Sequence, residues 1–241
     1  MCIRDSSEGR KLYDNMLKYI RFMLVALVTY VVTFLAASVL NIAGGQPFSA
    51  VQILWINFLI TAPLGIALGL DKETPGLMLR RPRPRSASIM SRSVITTVGL
   101  VGVFMSAAID LLLEFGKDHF HRGAIGSTLG LVAFSVMLVV AAFESRDETG
   151  SIFRMETLDN NVVNVTMLLE LALALLIVRG GVLTSLLGTQ VLTGRQWLIG
   201  AIPAVLLLAL WEVGKLIARR GAESAPAALP AEATSTEAAA A

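Results

Sequence analysis

The residues of this chain that could do chemistry are oxygen-bearing side chains set inside apolar stretches. Asn57 and Thr61 stand four apart, a spacing that shares one face of a helix. Pro63 follows and removes a backbone donor, which could expose carbonyls nearby. Thr29, Tyr30 and Thr33 form a second polar patch, midway along the first apolar stretch. Together these residues could line a pathway that supplies neutral oxygens to a cation. The competing reading is structural: Thr hydroxyls bond back to their own helix, and a buried Asn joins helices. Glu170 lies near the middle of the fifth apolar stretch, where a carboxylate costs roughly 2.5–3.5 kcal/mol unless paired or protonated. Its one evident cation, Arg179, is one to two turns further away than pairing wants. Asp110, Glu114, Lys117, Asp118, His119 and His121 read as a charged outer vestibule. The two histidines lack the i, i+4 spacing of a helical zinc pair, so a solvated loop is expected there rather than a metal site.

The elements that carry these residues are legible in the composition. Of 241 residues, 55% are hydrophobic and only 16% charged, against roughly 25% charged in a soluble domain. Mean hydropathy is +0.70. Six apolar runs stand out, at about 22–40, 50–70, 94–115, 125–143, 162–178 and 197–217. Each reaches the length that crosses a hydrocarbon core of about 30 Å, the fifth only just. Unpaired backbone groups are not tolerated in lipid, so each run should be a helix. The expected fold is all-α, a polytopic six-helix membrane bundle.

An even number of spans puts both chain ends on one side. Among the 20 Lys and Arg, only Lys117, Arg122, Arg179 and Arg195 fall on the other side, so both termini should be cytoplasmic. The net charge of +2 is explained by this asymmetry, and nucleic acid is not an expected partner. The polar first 18 residues do not resemble a signal peptide, and the single cysteine, Cys2, allows no disulfide within the chain. No Gly or Pro interrupts residues 10–42, so a stalk should run without a break into the first span. Residues 71–92 read as a basic loop near anionic headgroups, with Pro75, Pro82 and Pro84 among its arginines. Residues 221–241, rich in Ala, Glu and Pro, read as a disordered tail. No internal repeat is visible, which argues against an inverted-repeat transporter.

Several segments resemble one family in order. Glu8-Gly9-Arg10-Lys11-Leu12-Tyr13-Asp14-Asn15-Met16-Leu17-Lys18-Tyr19-Ile20-Arg21-Phe22 resembles the stalk of the fifth helix of P-type cation-transporting ATPases, of the calcium-pump-like branch. Gln52-Ile53-Leu54-Trp55-Ile56-Asn57 resembles their sixth-helix signature, and Leu79-Arg80-Arg81-Pro82-Arg83-Pro84 the loop that follows. Glu144-Ser145-Arg146 with Ser151-Ile152-Phe153 resembles the loop after helix eight. Gln196-Trp197-Leu198 and Glu212-Val213-Gly214-Lys215 resemble helix ten. Residues 8–220 are thereby identified with helices five to ten, and residues 1–7 match nothing and read as a remnant.

The resemblance implies a transmembrane half that is not catalytic by itself. ATP and Mg would be used by a missing N-terminal portion: phosphorylation, nucleotide-binding and actuator domains and helices one to four. Asp71-Lys72-Glu73-Thr74 only looks like a phosphorylation motif, since it lacks the Gly-Thr ending and is read as the start of a loop. Membrane lipid and an inorganic cation are the implied partners, and a bacterial plasma membrane the implied location. Carried over one by one, the ligand positions of helix five fall on Leu27 and Tyr30. Those of helix six fall on Asn57, Ile60 and Thr61, and that of helix eight on Leu138. Only Asn57 keeps its ligand type, so calcium, which wants six to eight oxygens including carboxylates, is poorly served. The cation pathway is therefore assigned to Asn57, Thr61, Thr29, Tyr30, Thr33 and Glu170, with no metal cluster. This needs Asn57 to face its neighbours rather than acyl chains. The alternative is a membrane subunit or regulator whose cation sites have degenerated.

Overall fold

The computed structural model describes residues 2–72, 92–120, 123–147 and 160–223, with side chains between residues 8 and 217 of those ranges. Among them every regular element is a helix. α1 (Cys2–Leu40) is one unbroken helix of 39 residues, about 58 Å at 1.5 Å per residue. That is stalk and span together, as the uninterrupted sequence predicts. The chain leaves it through Asn41 and Ala43, both in the left-handed region, and the pair Gly44–Gly45. α2 (Ala50–Trp55) continues through a π-helical turn (Ile56–Thr61) into α3 (Ala62–Gly69). α4 (Arg92–Phe120) and α5 (Gly123–Ser145) form a hairpin, and α6 (Asn161–Leu176), the short α7 (Val182–Leu187) and α8 (Gly194–Glu223) follow.

Five helical stretches are long and apolar enough to cross a membrane: Glu8–Leu40, Ala50–Gly69, Arg92–Phe120, Gly123–Ser145 and Gly194–Ile217. The fifth expected span, 162–178, forms α6 with 16 residues, below the usual 17–25 for a spanning helix. Gly180 and Gly181, both at positive φ, lie just beyond its end. The basic loop at 73–91, the Ser151-Ile152-Phe153 segment and the tail from 224 lie outside the described residues.

α5 is the axis of the bundle. It touches α1, α3, α4, α6 and α8 and is buried along most of its length. Small residues set the close approach of α4 and α5. A Cβ on Gly126 would meet the carbonyl oxygen of Leu113, and one on Gly116 would meet the backbone of Gly126. Helices in lipid associate through such backbone contacts, because apolar burial drives nothing between them. Gly126→Val should therefore wedge the hairpin apart and cost about 1–3 kcal/mol. Thermal denaturation in detergent measures it, and an unchanged midpoint would contradict the packing described.

A buried knot of polar groups fixes the register at the stalk end. The Asp71 carboxylate accepts from Lys18 Nζ at 3.1 Å and from Arg146 at 3.0 Å through both Nε and Nη2. It also accepts from Asn160 Nδ2 at 2.9 Å. Asn15 Nδ2 donates to the backbone carbonyl of Asp71 at 2.6 Å. One carboxylate thus ties the stalk to the ends of α3 and α5 and to the start of α6. Asn160 serves twice, because its Oδ1 also caps α6 by accepting from Val162 N–H at 3.0 Å. Burial alone would push the Asp71 carboxyl up. The Arg146 hydrogen bond, the Lys18 charge and Asn160 outweigh it and hold the group down at about 2.

Candidate cation site and stalk coupling

The knot gives a common origin for measuring depth. About ten or eleven residues along each helix, roughly 15 Å at 1.5 Å per residue, reach half the thickness of a hydrocarbon core. Counted from Lys18 on α1, that depth falls at Val28 and Thr29, with Tyr30 one residue further. From Asp71 it falls at Ile60 and Thr61, from Arg146 at Ser135, and from Asn160 at Glu170. The ring contact between Tyr30 and Phe134, at 4.9 Å between centroids, agrees with this register. The buried polar residues of four helices therefore lie in one layer.

Glu170 stands out within that layer. Val163, Met167, Glu170 and Ala174 make the buried stripe of α6, at helical spacing, while Val165, Leu168 and Leu169 are exposed. α6 packs on α3 and α5, so the stripe carries the carboxyl into that seam. Glu170 is 1% exposed, and neither carboxylate oxygen has a hydrogen-bond partner among the described residues. Thr61, at the same depth on the neighbouring helix, is also buried with an unpartnered hydroxyl. So are the Thr33 hydroxyl and the Tyr30 phenol. An unsatisfied buried polar group costs about 1–3 kcal/mol. Glu170, Thr61 and Tyr30 bring three such groups to a similar depth, and buried oxygens gathered in that way could hold a ligand.

The other candidates are placed differently. Thr29 is buried, but its hydroxyl donates to Val25 O at 2.8 Å and contacts Met105 Sδ of α4 at 3.7 Å. Asn57 is exposed, and its amide donates back to Ile53 O at 3.0 Å. It does not share a face with the buried Thr61, contrary to the expectation from their spacing. The π turn is the reason. Ala62 N–H bonds to Asn57 O, five residues back, so the wider turn rotates the residues after it out of α-helical phase. Pro63 lies directly after this turn, in the first turn of α3, where its missing N–H is tolerated. Of the carried-over ligand positions, Leu27 is exposed, and Ile60 and Leu138 are fully buried.

The charged outer cluster divides. Glu114 pairs with Lys117 at 3.3 Å on the surface, and His119 packs on Phe115 and Phe120. Asp110 leaves the cluster: it is buried and accepts from Ser106 Oγ at 3.4 Å. Among the described residues no group of three His, Cys, Asp or Glu could hold a metal ion.

The model of the C-terminal region of cation-transporting ATPases matches residues 45–217, most of the chain. The chain belongs to that family. It is an integral membrane protein with the helices of the family's C-terminal transmembrane region. It is 26% identical over 221 residues to a calcium-transporting ATPase of Bacillus subtilis, covering 88% of this chain and 24% of that protein. With calcium-transporting ATPase 1 of Bacillus cereus it shares 25% over 229 residues, covering 89% and 26%. With human plasma membrane calcium-transporting ATPase 3 it shares 33% over 113 residues, covering 46% and 9%. The chain spans about a quarter of the length of the bacterial relatives it matches.

In this cation-transporting ATPase region the motif residues turn out to be fasteners. Gln52 Oε1 accepts from Ser49 N–H at 3.0 Å while Ser49 Oγ accepts from Gln52 N–H, a capping box that starts α2. Its Nε2 donates to Leu187 O at 3.0 Å and joins α2 to α7. Gln196 makes the same reciprocal cap with Thr193 at the start of α8. Two residues that sequence reasoning passed over are central. Asp71, read as a loop start, is the knot. Glu144 is fully buried and pairs with Lys215 of α8 at 2.6 Å. The signal for both was present in outline: carboxylates at span ends opposite cations at other span ends of the same side.

Proposed function

We propose that the chain is the transmembrane half of an ATP-driven pump for an inorganic cation, with its ion layer at the depth of Thr29–Tyr30, Thr61 and Glu170. The observation that carries this reading is the Glu170 carboxyl, buried at half depth without a hydrogen-bond partner among the described residues. A carboxylate in that position demands a counter-charge, and a transported cation or a counter-transported proton supplies one. Thr61, Thr33 and Tyr30 add neutral oxygens, and the π turn adds carbonyls. With one carboxylate the layer is poorer in charge than a calcium site prefers, so the ion is left as an inorganic cation. Asn57 is exposed, and a fourth helix of the whole pump is the partner that would cover it and bring it into the pathway. Phosphorylation and nucleotide binding, with ATP and Mg, belong to domains outside this chain. Their motion would reach the layer through the stalk and the Asp71 knot. The one-sided Lys and Arg support a topology with both chain ends on the cytoplasmic side.

The test is cation-stimulated ATPase activity of the complete pump. Glu170→Gln should lower it by roughly tenfold or more, equivalent to ~1.4 kcal/mol of lost ion binding. Asn57→Ala should abolish stimulation; unchanged stimulation would remove Asn57 from the pathway. A second reading, a membrane subunit without transport, is favoured by the apolar Leu27, Ile60 and Leu138 at family ligand positions. An upstream reading frame encoding a D-K-T-G-T phosphorylation motif separates the two.

A further inference from the structure

Between α4 and α8, at the stalk end, the bundle leaves a cleft of about 640 Å³. Arg21 and Val25 of α1 and Glu144 and Ser145 of α5 form its floor. The lining is sorted along the membrane normal. Arg21, Ser93, Ser145 and Lys215 stand at the stalk end, within two turns or so of the knot. Val101, Phe104 and Leu207 lie deeper; Phe104 is roughly 17 Å beyond Ser93 at 1.5 Å per residue. Trp211 lines the cleft between the two zones, the level at which Trp collects in membrane proteins. Leu100 and Leu210 on its lips are exposed, so the cleft opens sideways between α4 and α8, toward lipid.

A close-packed bundle does not leave such an apolar volume empty, and in a bilayer the material at its mouth is acyl chain. Charge then selects the headgroup. Lys215 and Glu144 neutralise one another, and Glu212 adds a negative charge nearby. Arg21 lines the cleft, and Arg92 adjoins its Ser93. Arg21 need not lack other contacts, because a guanidinium has five N–H donors. We propose that this cleft holds one acyl chain of an anionic phospholipid of the stalk-side leaflet, with its phosphate at Arg21 and Ser93. Such a lipid would fill the gap between α4 and α8 and brace the base of the span that carries the stalk. The proposal rests on membrane placement alone and stands whether or not the chain transports a cation.

The experiment is native mass spectrometry of the 241-residue chain released from nanodiscs of mixed phosphatidylglycerol and phosphatidylcholine with identical acyl chains. One phosphatidylglycerol per chain should be retained, in preference to phosphatidylcholine by about fivefold, the effect of one cationic residue near an anionic surface. Arg21→Gln should remove the preference. Gly214→Leu tests the chain-binding part: Gly214 lines the cleft and a Cβ there meets nothing within 4 Å, so the new side chain starts into open space. It should lower retention of both lipids while leaving the melting temperature unchanged. If Arg21→Gln proves unstable, Gly214→Leu decides by itself. Equal retention of the two lipids by the wild-type chain overturns the proposal, as does unchanged retention in Gly214→Leu. Retention that rises only after removal of residues 221–241 would assign the cleft to the chain's own tail and overturn it too.

Discussion

Asp71→Ala should cost the bundle about 3–5 kcal/mol, because it removes the buried carboxylate that Lys18 and Arg146 share. Lys18 and Arg146 are 4% and 8% exposed, so water cannot replace the lost carboxylate. Asp14, 3.6 Å from Lys18, is a weaker substitute on the same helix. Asn160 would keep its cap on α6 but lose its hold on α3. Thermal denaturation in detergent reads the loss directly, and a melting temperature equal to that of the unmutated chain would refute the role assigned to the knot. The pH dependence has a definite sign. The folded carboxyl is held at about 2, below its ordinary 3.8. Its contribution is therefore complete above pH ~4 and fades as pH falls through the window from about 4 to about 2. Asp71→Ala should lack this acid-side loss. In the complete pump the same variant should break the connection between stalk and spans, so that ATP hydrolysis outlasts transport.

The second large effect concerns α5 and α8. Lys215→Met should destabilise the chain by about 3–5 kcal/mol, since it strands the fully buried Glu144 carboxylate. Glu144→Leu should do similar damage by stranding Lys215, which is 4% exposed. The double variant should recover most of the loss, because two apolar side chains of similar size bury without a desolvation cost. A double-mutant cycle on melting in detergent measures the coupling. Simple addition of the two single losses would show that the side chains act independently and would contradict the pair. The weak 3.5 Å contact from Lys215 Nζ to the Glu144 carbonyl is too long to change this ordering.

The Asn57–Thr61 pair shows where reading along the chain stops. Spacing alone placed them on one helical face, and Pro63 marked the region as irregular. The number of residues in the turn was not visible. The spacing pattern assumes a regular α-helix, and a turn with an extra residue breaks that assumption. The consequence is large: Asn57 is exposed while Thr61 is buried. Glu170 was legible as a costly carboxyl, since depth in an apolar run is a property of the run. That it lies level with Thr61 and Tyr30, without Arg179, depends on the way four helices are pinned together.

From the order of residues alone came the solvent, the helices and the family. Apolar runs of bilayer length, their capping residues and the one-sided Lys and Arg act over a few turns, within the reach of local chemistry. The motifs gave the order of the helices because they occur in that order along the chain. Packing chose the partners. The groups that meet at Asp71 come from positions 53 to 89 residues away, and no local pattern sets such a distance. Packing also settled which oxygens stay unpaired, because in lipid a polar side chain has only another helix, or a ligand, to turn to.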